Sequence, residues 1–137
     1  MKQCCWKARN GEFYIGLNIG GIALDMLLDT GFSHPRCEVG IGLEALIYDS
    51  LKRNGKIDNE KTYQRILANG STDIVVTGEV EAQLICAGHI FGPRVKVRAR
   101  KGTYNSVGYC FFKTLKGCRL VWEFEEDEVC IEWKGVI

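Results

Sequence analysis

The sequence predicts an all-β domain, mainly strands with two short helices. Three observations carry that expectation. Apolar and polar residues alternate with a period of two over several stretches, as strands with one buried face require. Glycine pairs of hairpin type, Gly20-Gly21 and Asn69-Gly70, stand between such stretches. Helical spacing of apolar residues appears only in two short windows, Leu43 to Arg53 and Tyr109 to Leu115.

Taken in order, Glu12 to Ile19 reads as a strand with Phe13, Ile15, Leu17 and Ile19 alternating inward. Gly20-Gly21 turns the chain into a second strand, Ile22 to Leu28, whose apolar composition predicts burial. Phe32 to Gly42 contains Pro35 and two glycines and reads as irregular; Gly40-x-Gly42 follows no strand and stays a loop. Leu43, Leu46, Ile47 and Leu51 then fall at helical spacing, with Lys52 and Arg53 in the last turn and Asn54-Gly55 as a stop. Lys56 to Lys61 is a polar connector. Thr62 to Ala68 and Thr72 to Cys86 are predicted as the arms of a projecting hairpin turned at Asn69-Gly70, the second arm bulged at Gly78. Arg94 to Lys101 alternates strictly between Arg94, Lys96, Arg98 and Arg100 on one face and Val95, Val97 and Ala99 on the other. After the short helix, Arg119 to Phe124 and Val129 to Trp133 form a closing hairpin. The count is about seven strands around one core.

At 137 residues and 46% hydrophobic content the chain is long and apolar enough for one domain with a real core. A net charge of +1 gives no bulk electrostatic reason to expect nucleic acid or membrane as partner. No stretch approaches the ~18 apolar residues of a membrane span. The opening Met1 to Lys7 has no apolar core of signal-peptide length, so a cytoplasmic location is expected. Seven cysteines, at 4, 5, 37, 86, 110, 118 and 130, include no Cys-x-x-Cys pair, and His34 and His89 do not complete a zinc-finger spacing. No metal or other cofactor is expected. Reduced thiols serving as small core residues are the expectation in that compartment.

Chemistry is expected at Leu27-Leu28-Asp29-Thr30-Gly31. An acidic residue that ends an apolar strand is costly unless it is paired or hydrogen-bonded, and such placements concentrate at functional sites. Asp, Thr and Gly are also ordinary turn formers, so the triplet alone is compatible with a plain strand end. His34 follows closely but has no nucleophilic Ser or Cys motif to partner it, and reads as a loop residue.

The order of pieces after Asp29 resembles the retropepsin-like, clan AA aspartic proteases, in particular their small single-domain prokaryotic members. Leu27 to Ser33 resembles the catalytic motif. Leu67-Ala68-Asn69-Gly70-Ser71 resembles the flap segment. Ser106-Val107-Gly108 with Phe111-Phe112 and Arg119 to Phe124 resembles the apolar-Gly element, its helix and the following strand. The resemblance spans roughly residues 12 to 133. It implies a retropepsin-like acid protease barrel with one lobe per chain, occupying residues 12–137, and an N-terminal segment, 1–11, as a candidate dimer-interface strand.

It further implies an aspartic endopeptidase. Asp29 would activate water, Thr30 would bond across a twofold axis, and Gly31 would donate its N–H to the carboxylate. Leu67, Ala68, Asn69, Gly70 and Ser71 would close over a peptide or protein substrate, and Val107 and Gly108 would form the second element. Two carboxylates are needed, one as general base and one protonated to polarise the scissile carbonyl. No other Asp is followed by Thr-Gly or Ser-Gly, so a homodimer must supply the second. The segments around Trp6, Trp133, Val136 and Ile137 are candidate interface strands. Where retroviral members follow the second glycine with Arg-Asn, Tyr109-Cys110 stand here. The alternative within the fold is a catalytically inactive, dimeric peptide-binding module. The basic face of Arg94 to Lys101 has no interleaved aromatics for base stacking; it reads as solvated charge or as the partner of the acidic run Glu123 to Glu128.

Overall fold

A computed structural model describes residues 2–29 and 36–133. Ten strands and two helices follow in the order β1 (Lys2–Lys7), β2 (Tyr14–Ile19), β3 (Ile22–Leu28), β4 (Ile41–Glu44), α1 (Ala45–Arg53), β5 (Asp58–Ile66), β6 (Thr72–Cys86), β7 (His89–Gly102), β8 (Ser106–Val107), α2 (Tyr109–Lys113), β9 (Cys118–Glu123) and β10 (Glu128–Trp133). Seven of the strands form one sheet in the order β2-β3-β8-β4-β7-β6-β5. The sheet closes into a barrel because the far end of the long β6 also pairs with β2, Leu17 opposite Leu84 and Ile19 opposite Ala82. Strands β1, β10 and β9 form a second, antiparallel sheet. Val129, Ile131 and Trp133 of β10 join Ile15, Leu17, Ile41, Leu43, Val107 and Phe111 in one buried core.

Several expected elements hold with small changes of boundary. β3 and β6 span the expected residues. β3, however, is half-buried, with Ala23 and Asp25 exposed, so Asp29 ends an amphipathic strand and not a fully buried one. The helix over Leu43 to Arg53 begins at Ala45, because Ile41 and Leu43 are spent on β4 beside Ala99 and Lys101 of β7. The later start turns Ile47, Tyr48 and Leu51 inward and leaves Leu46 81% exposed. Gly42, expected in a loop, is therefore a strand residue. The connector at 58–61 is also strand: β5 is exposed along its whole length, so it shows no alternation.

The irregularity expected at Gly78 lies in the partner strand. Gly78 pairs in register with Ala99, while β5 shifts register between Asp58 and Lys61 opposite it. A Cβ on Gly78 would meet the Tyr48 hydroxyl at 2.7 Å, so glycine leaves room for the α1 side chain to reach under the sheet. That hydroxyl donates to Glu60 Oε2 at 2.8 Å, and Lys52 Nζ donates to Glu60 Oε1 at 2.9 Å.

The expectation of reduced thiols does not hold. Cys4 is joined to Cys86, Cys5 to Cys130 and Cys37 to Cys110; Cys118 is the free cysteine among the described residues. Cys4, Cys110 and Cys130 are buried, as residue type suggests; the pairing was not legible. Disulfides of this kind persist in oxidising compartments, so the cysteines lend no support to a cytoplasmic location. No described helix is long and apolar enough to cross a membrane.

Candidate active site

Asp29 follows β3 at the point where that strand leaves the sheet. The strand end is fixed on both sides. Leu28 N–H donates to Phe13 O at 2.8 Å, Leu27 N–H to Asn105 O at 2.9 Å, and Asp29 N–H to Val107 O at 3.0 Å. Leu27 and Leu28 pair in parallel with Ser106 and Val107 of β8. β8 in turn pairs with β4, Ile41 opposite Val107. β8 therefore lies between β3, which ends beside Asp29, and β4. Gly108 N–H donates to Gly40 O at 3.2 Å, which clamps the residue before β4 to the apolar-Gly element. A Cβ on Gly40 would lie 2.6 Å from Val97 Cγ2 and 3.2 Å from Phe111 N, so the chain packs there as closely as glycine permits. Cys37–Cys110 adds a covalent link between the same segment and α2. Thr30, Gly31 and His34 lie outside the described residues.

The Asp29 side chain is partly exposed, and its Oδ2 accepts a hydrogen bond from the Tyr104 hydroxyl at 3.3 Å. Tyr104 is the site residue the sequence did not single out. It sits in a Lys-Gly-Thr-Tyr-Asn stretch with no periodicity, and only the β7–β8 connection brings it to Asp29. Asn105 was missed for the same reason; its side-chain oxygen accepts the Glu44 N–H at 2.9 Å while its carbonyl holds Leu27.

Beside Tyr104 opens a groove of about 480 Å³. Its walls are Gly42 and Ala45, Arg65 and Ile74 to Val76 of the long hairpin, and the chain from Arg100 to Tyr104. The arms of the β5–β6 hairpin form one wall of this groove. The hairpin tip, Leu67 to Ser71, is exposed throughout. The tip is closed by Leu67 N–H to Ser71 O at 2.8 Å, Gly70 N–H to Leu67 O at 2.9 Å, and Ser71 N–H to Asn69 Oδ1 at 3.0 Å. Gly70 has φ of +84°, which explains glycine at that position. Arg65 and Asp73 face each other across the hairpin arms at 2.7 Å. Ile66 and Ile74 present apolar side chains to solvent there. The structure thus brings Asp29, Val107 and Gly108 together, and places Leu67 to Ser71 at the end of a separate projecting hairpin.

The basic face of β7 is a paired face. Arg94 meets Glu81 at 3.6 Å, Lys96 meets Asp58 at 3.2 Å, and Arg98 meets Glu79 at 3.2 Å. The partners lie on β5 and β6, not in the run Glu123 to Glu128. Among the described residues Cys5, Glu128 and Cys130 bring metal-ligand atoms together, but the two sulfurs are bonded to each other.

A scan against protein-family models finds no match, and a search of curated proteins finds none. Solved structures do match. A retropepsin-like aspartic protease from Rickettsia conorii superimposes with a TM-score of 0.54 at 14% identity, covering 96% of this chain and 90% of that one. This chain has a retropepsin-like fold. The retroviral protease-like domain of Ddi1 from Leishmania major also matches, with a TM-score of 0.48 at 10% identity over 90% of this chain and 88% of that one. Within this barrel Asp29 touches the groove's lining through Tyr104, and the hairpin of β5 and β6 contributes Arg65 and Asp73 to Val76 to the groove wall.

Proposed function

We propose that the protein is an aspartic endopeptidase that hydrolyses peptide bonds as a homodimer. The observation that carries this reading is the placement of Asp29. In a retropepsin-like barrel, one partly exposed carboxylate stands at a strand end locked to β8 and is hydrogen-bonded by Tyr104, which lines a groove walled in part by the long hairpin. A single carboxylate can be base or acid, but not both at once. A second chain related by a twofold axis supplies the other Asp29 with no further sequence. One carboxylate takes a proton from the attacking water. The other, protonated, hydrogen-bonds the scissile carbonyl and stabilises the charge that develops on its oxygen.

The remaining residues take roles in that scheme. Tyr104, by donating to Oδ2, holds the Asp29 carboxyl in one rotamer. Thr30 and Gly31 complete the loop, Thr30 tying it to its twofold mate. The tip Leu67-Ala68-Asn69-Gly70-Ser71 closes over substrate and excludes water. Peptides or proteins are the substrate class, because the open sheet-lined groove accepts an extended chain. The test is incubation with an unbiased peptide library at pH 4 to 7, read by mass spectrometry, with and without a statine-type peptide mimic. Cleavage blocked by the mimic is expected. Binding of peptides with no cleavage at any pH contradicts the reading and leaves a peptide-binding module in its place.

A further inference from the structure

Of the terminal segments expected at a dimer interface, those around Trp6 and Trp133 pair with each other within the chain, and Val136 and Ile137 lie outside the described residues. β1 pairs along its length with β10, Lys2 opposite Trp133 through Lys7 opposite Glu128. β10 is thus the central strand of its sheet, and the edges are β1 and β9. The β1 edge lies toward the chain's own barrel: Cys4 is bonded to Cys86 at the end of β6. β9 is different. Its outer edge has no partner strand among the described residues.

Residues of β9 also line an apolar cavity of about 340 Å³ with Leu28, Tyr109 and Phe112. Leu28 is the residue before Asp29, so this cavity opens on the catalytic side of the molecule. The surface around it is unusually apolar. Tyr109 is 56% exposed, Phe124 is 83% exposed, and Trp122 stacks between Phe124 and the edge of Phe13. An unpaired strand edge with exposed aromatics next to an incomplete catalytic site is a surface made for another chain.

We propose that β9 is the dimerisation strand, and that its occupant is the β9 of a second copy of this chain. The inference rests on the peptidase reading only in that the site at Asp29 needs a second carboxylate; the pairing itself follows from the strand. β9 reads Cys-Arg-Leu-Val-Trp-Glu over Cys118–Glu123. A twofold antiparallel pairing with Val121 opposite its own mate sets Arg119 opposite the partner's Glu123 and Glu123 opposite the partner's Arg119. The same register sets Leu120 opposite the partner's Trp122. Two opposite-charge pairs and two aliphatic–aromatic pairs then form across one axis, the kinds of cross-strand pair that stabilise a sheet. A register centred on Leu120 places Arg119 opposite Val121 and makes neither charge pair. The result is a six-stranded sheet, β1-β10-β9 continued by its mate, with the cavity beside Leu28 covered by the partner.

Charge reversal tests this without reference to catalysis. Sedimentation velocity is measured for the wild type, Arg119→Glu, and the double variant Arg119→Glu, Glu123→Arg, with circular dichroism confirming that each is folded. Arg119→Glu is expected to weaken the dimer by about tenfold or more, because both cross-axis pairs become like-charged. The double variant is expected to recover wild-type assembly. Arg119 also meets Glu132 of its own chain at 2.8 Å. Loss of that contact is not repaired by a change at Glu123, so rescue isolates the cross-axis pair. As a second measurement, Val121→Cys in a Cys118→Ser background is expected to form a covalent dimer under mild oxidation. A wild-type dimer indifferent to both charge variants, a protein that is monomeric at all concentrations, or no cross-link at position 121 overturns the proposal. Absence of peptide cleavage alongside charge-rescued assembly would remove the peptidase reading and leave the interface standing.

Discussion

Asp29 is fixed by backbone and side chain through different parts of the chain. Its N–H is held by Val107 and its carboxylate by Tyr104. Asp29→Asn keeps the shape and the backbone bonds, so the fold and dimer should survive. Cleavage should fall by at least about a hundredfold, the usual scale for loss of a positioned acid–base group. In the proposed homodimer Asn would also remove the repulsion between two facing carboxylates, so thermal melts at pH 7 should show unchanged or slightly higher stability. A clear loss of stability with cleavage unchanged would make Asp29 an ordinary turn residue. Gly40 carries a different kind of prediction. Gly40→Ala places a methyl against Val97 and the Phe111 backbone, and should cost about 1–3 kcal/mol in denaturant unfolding. Away from the site, Glu60 is held below the usual carboxylate range, first by the hydrogen bond from Lys52 and then by that from Tyr48. A depressed carboxyl contributes stability above its unfolded value of 4.5 and loses it as pH falls through the lower folded value. Glu60→Gln should therefore be less stable than the wild type at pH 6, with the gap closing below about pH 4; melts at both pH values check this.

At the scale of elements, the tip of the β5–β6 hairpin, Leu67 to Ser71, is exposed throughout. Gly70→Ala at φ of +84° should cost about 1–2 kcal/mol of global stability. If the tip closes over substrate, kcat/KM should fall by more than that stability loss can explain. Comparison of unfolding with steady-state kinetics decides it. The hairpin was also legible in the sequence, because Asn69-Gly70 is a local signal and the alternation of β6 is long. β3 was legible for the same reason. The elements that escaped are those whose identity is set by neighbours. β8 is two residues long and is a strand only because β3 and β4 flank it. β5 has no buried face and so no period. β4 took Leu43, the first apolar residue of the helical window, and Ile41 from the stretch expected to be irregular, because both pair with β7.

For the whole molecule, the barrel and the position of Asp29 in it were readable, because motif order constrains connectivity. The Tyr104 contact and the cysteine pairings were not, since both depend on distances between chain segments that carry no local signal. Two of the disulfides tie β1 to the rest, at Cys86 and Cys130, and the third joins Cys37 to Cys110. Non-reduced peptide mapping should recover those three pairs, with Cys118 the free thiol among them. Reduction should lower stability by about 2–5 kcal/mol for each bond that closes a long loop. Mapping that finds seven free thiols in protein purified without reductant would contradict this.

The central claim is that two chains share one catalytic site. It is tested most directly by mixing wild type with Asp29→Asn at constant total chain concentration, letting subunits exchange, and measuring the rate of peptide cleavage. A shared dyad predicts that activity follows the square of the wild-type fraction, falling to about one quarter at equal mixing. Activity that falls only in proportion to the wild-type fraction would show that each chain acts alone, and would contradict the claim.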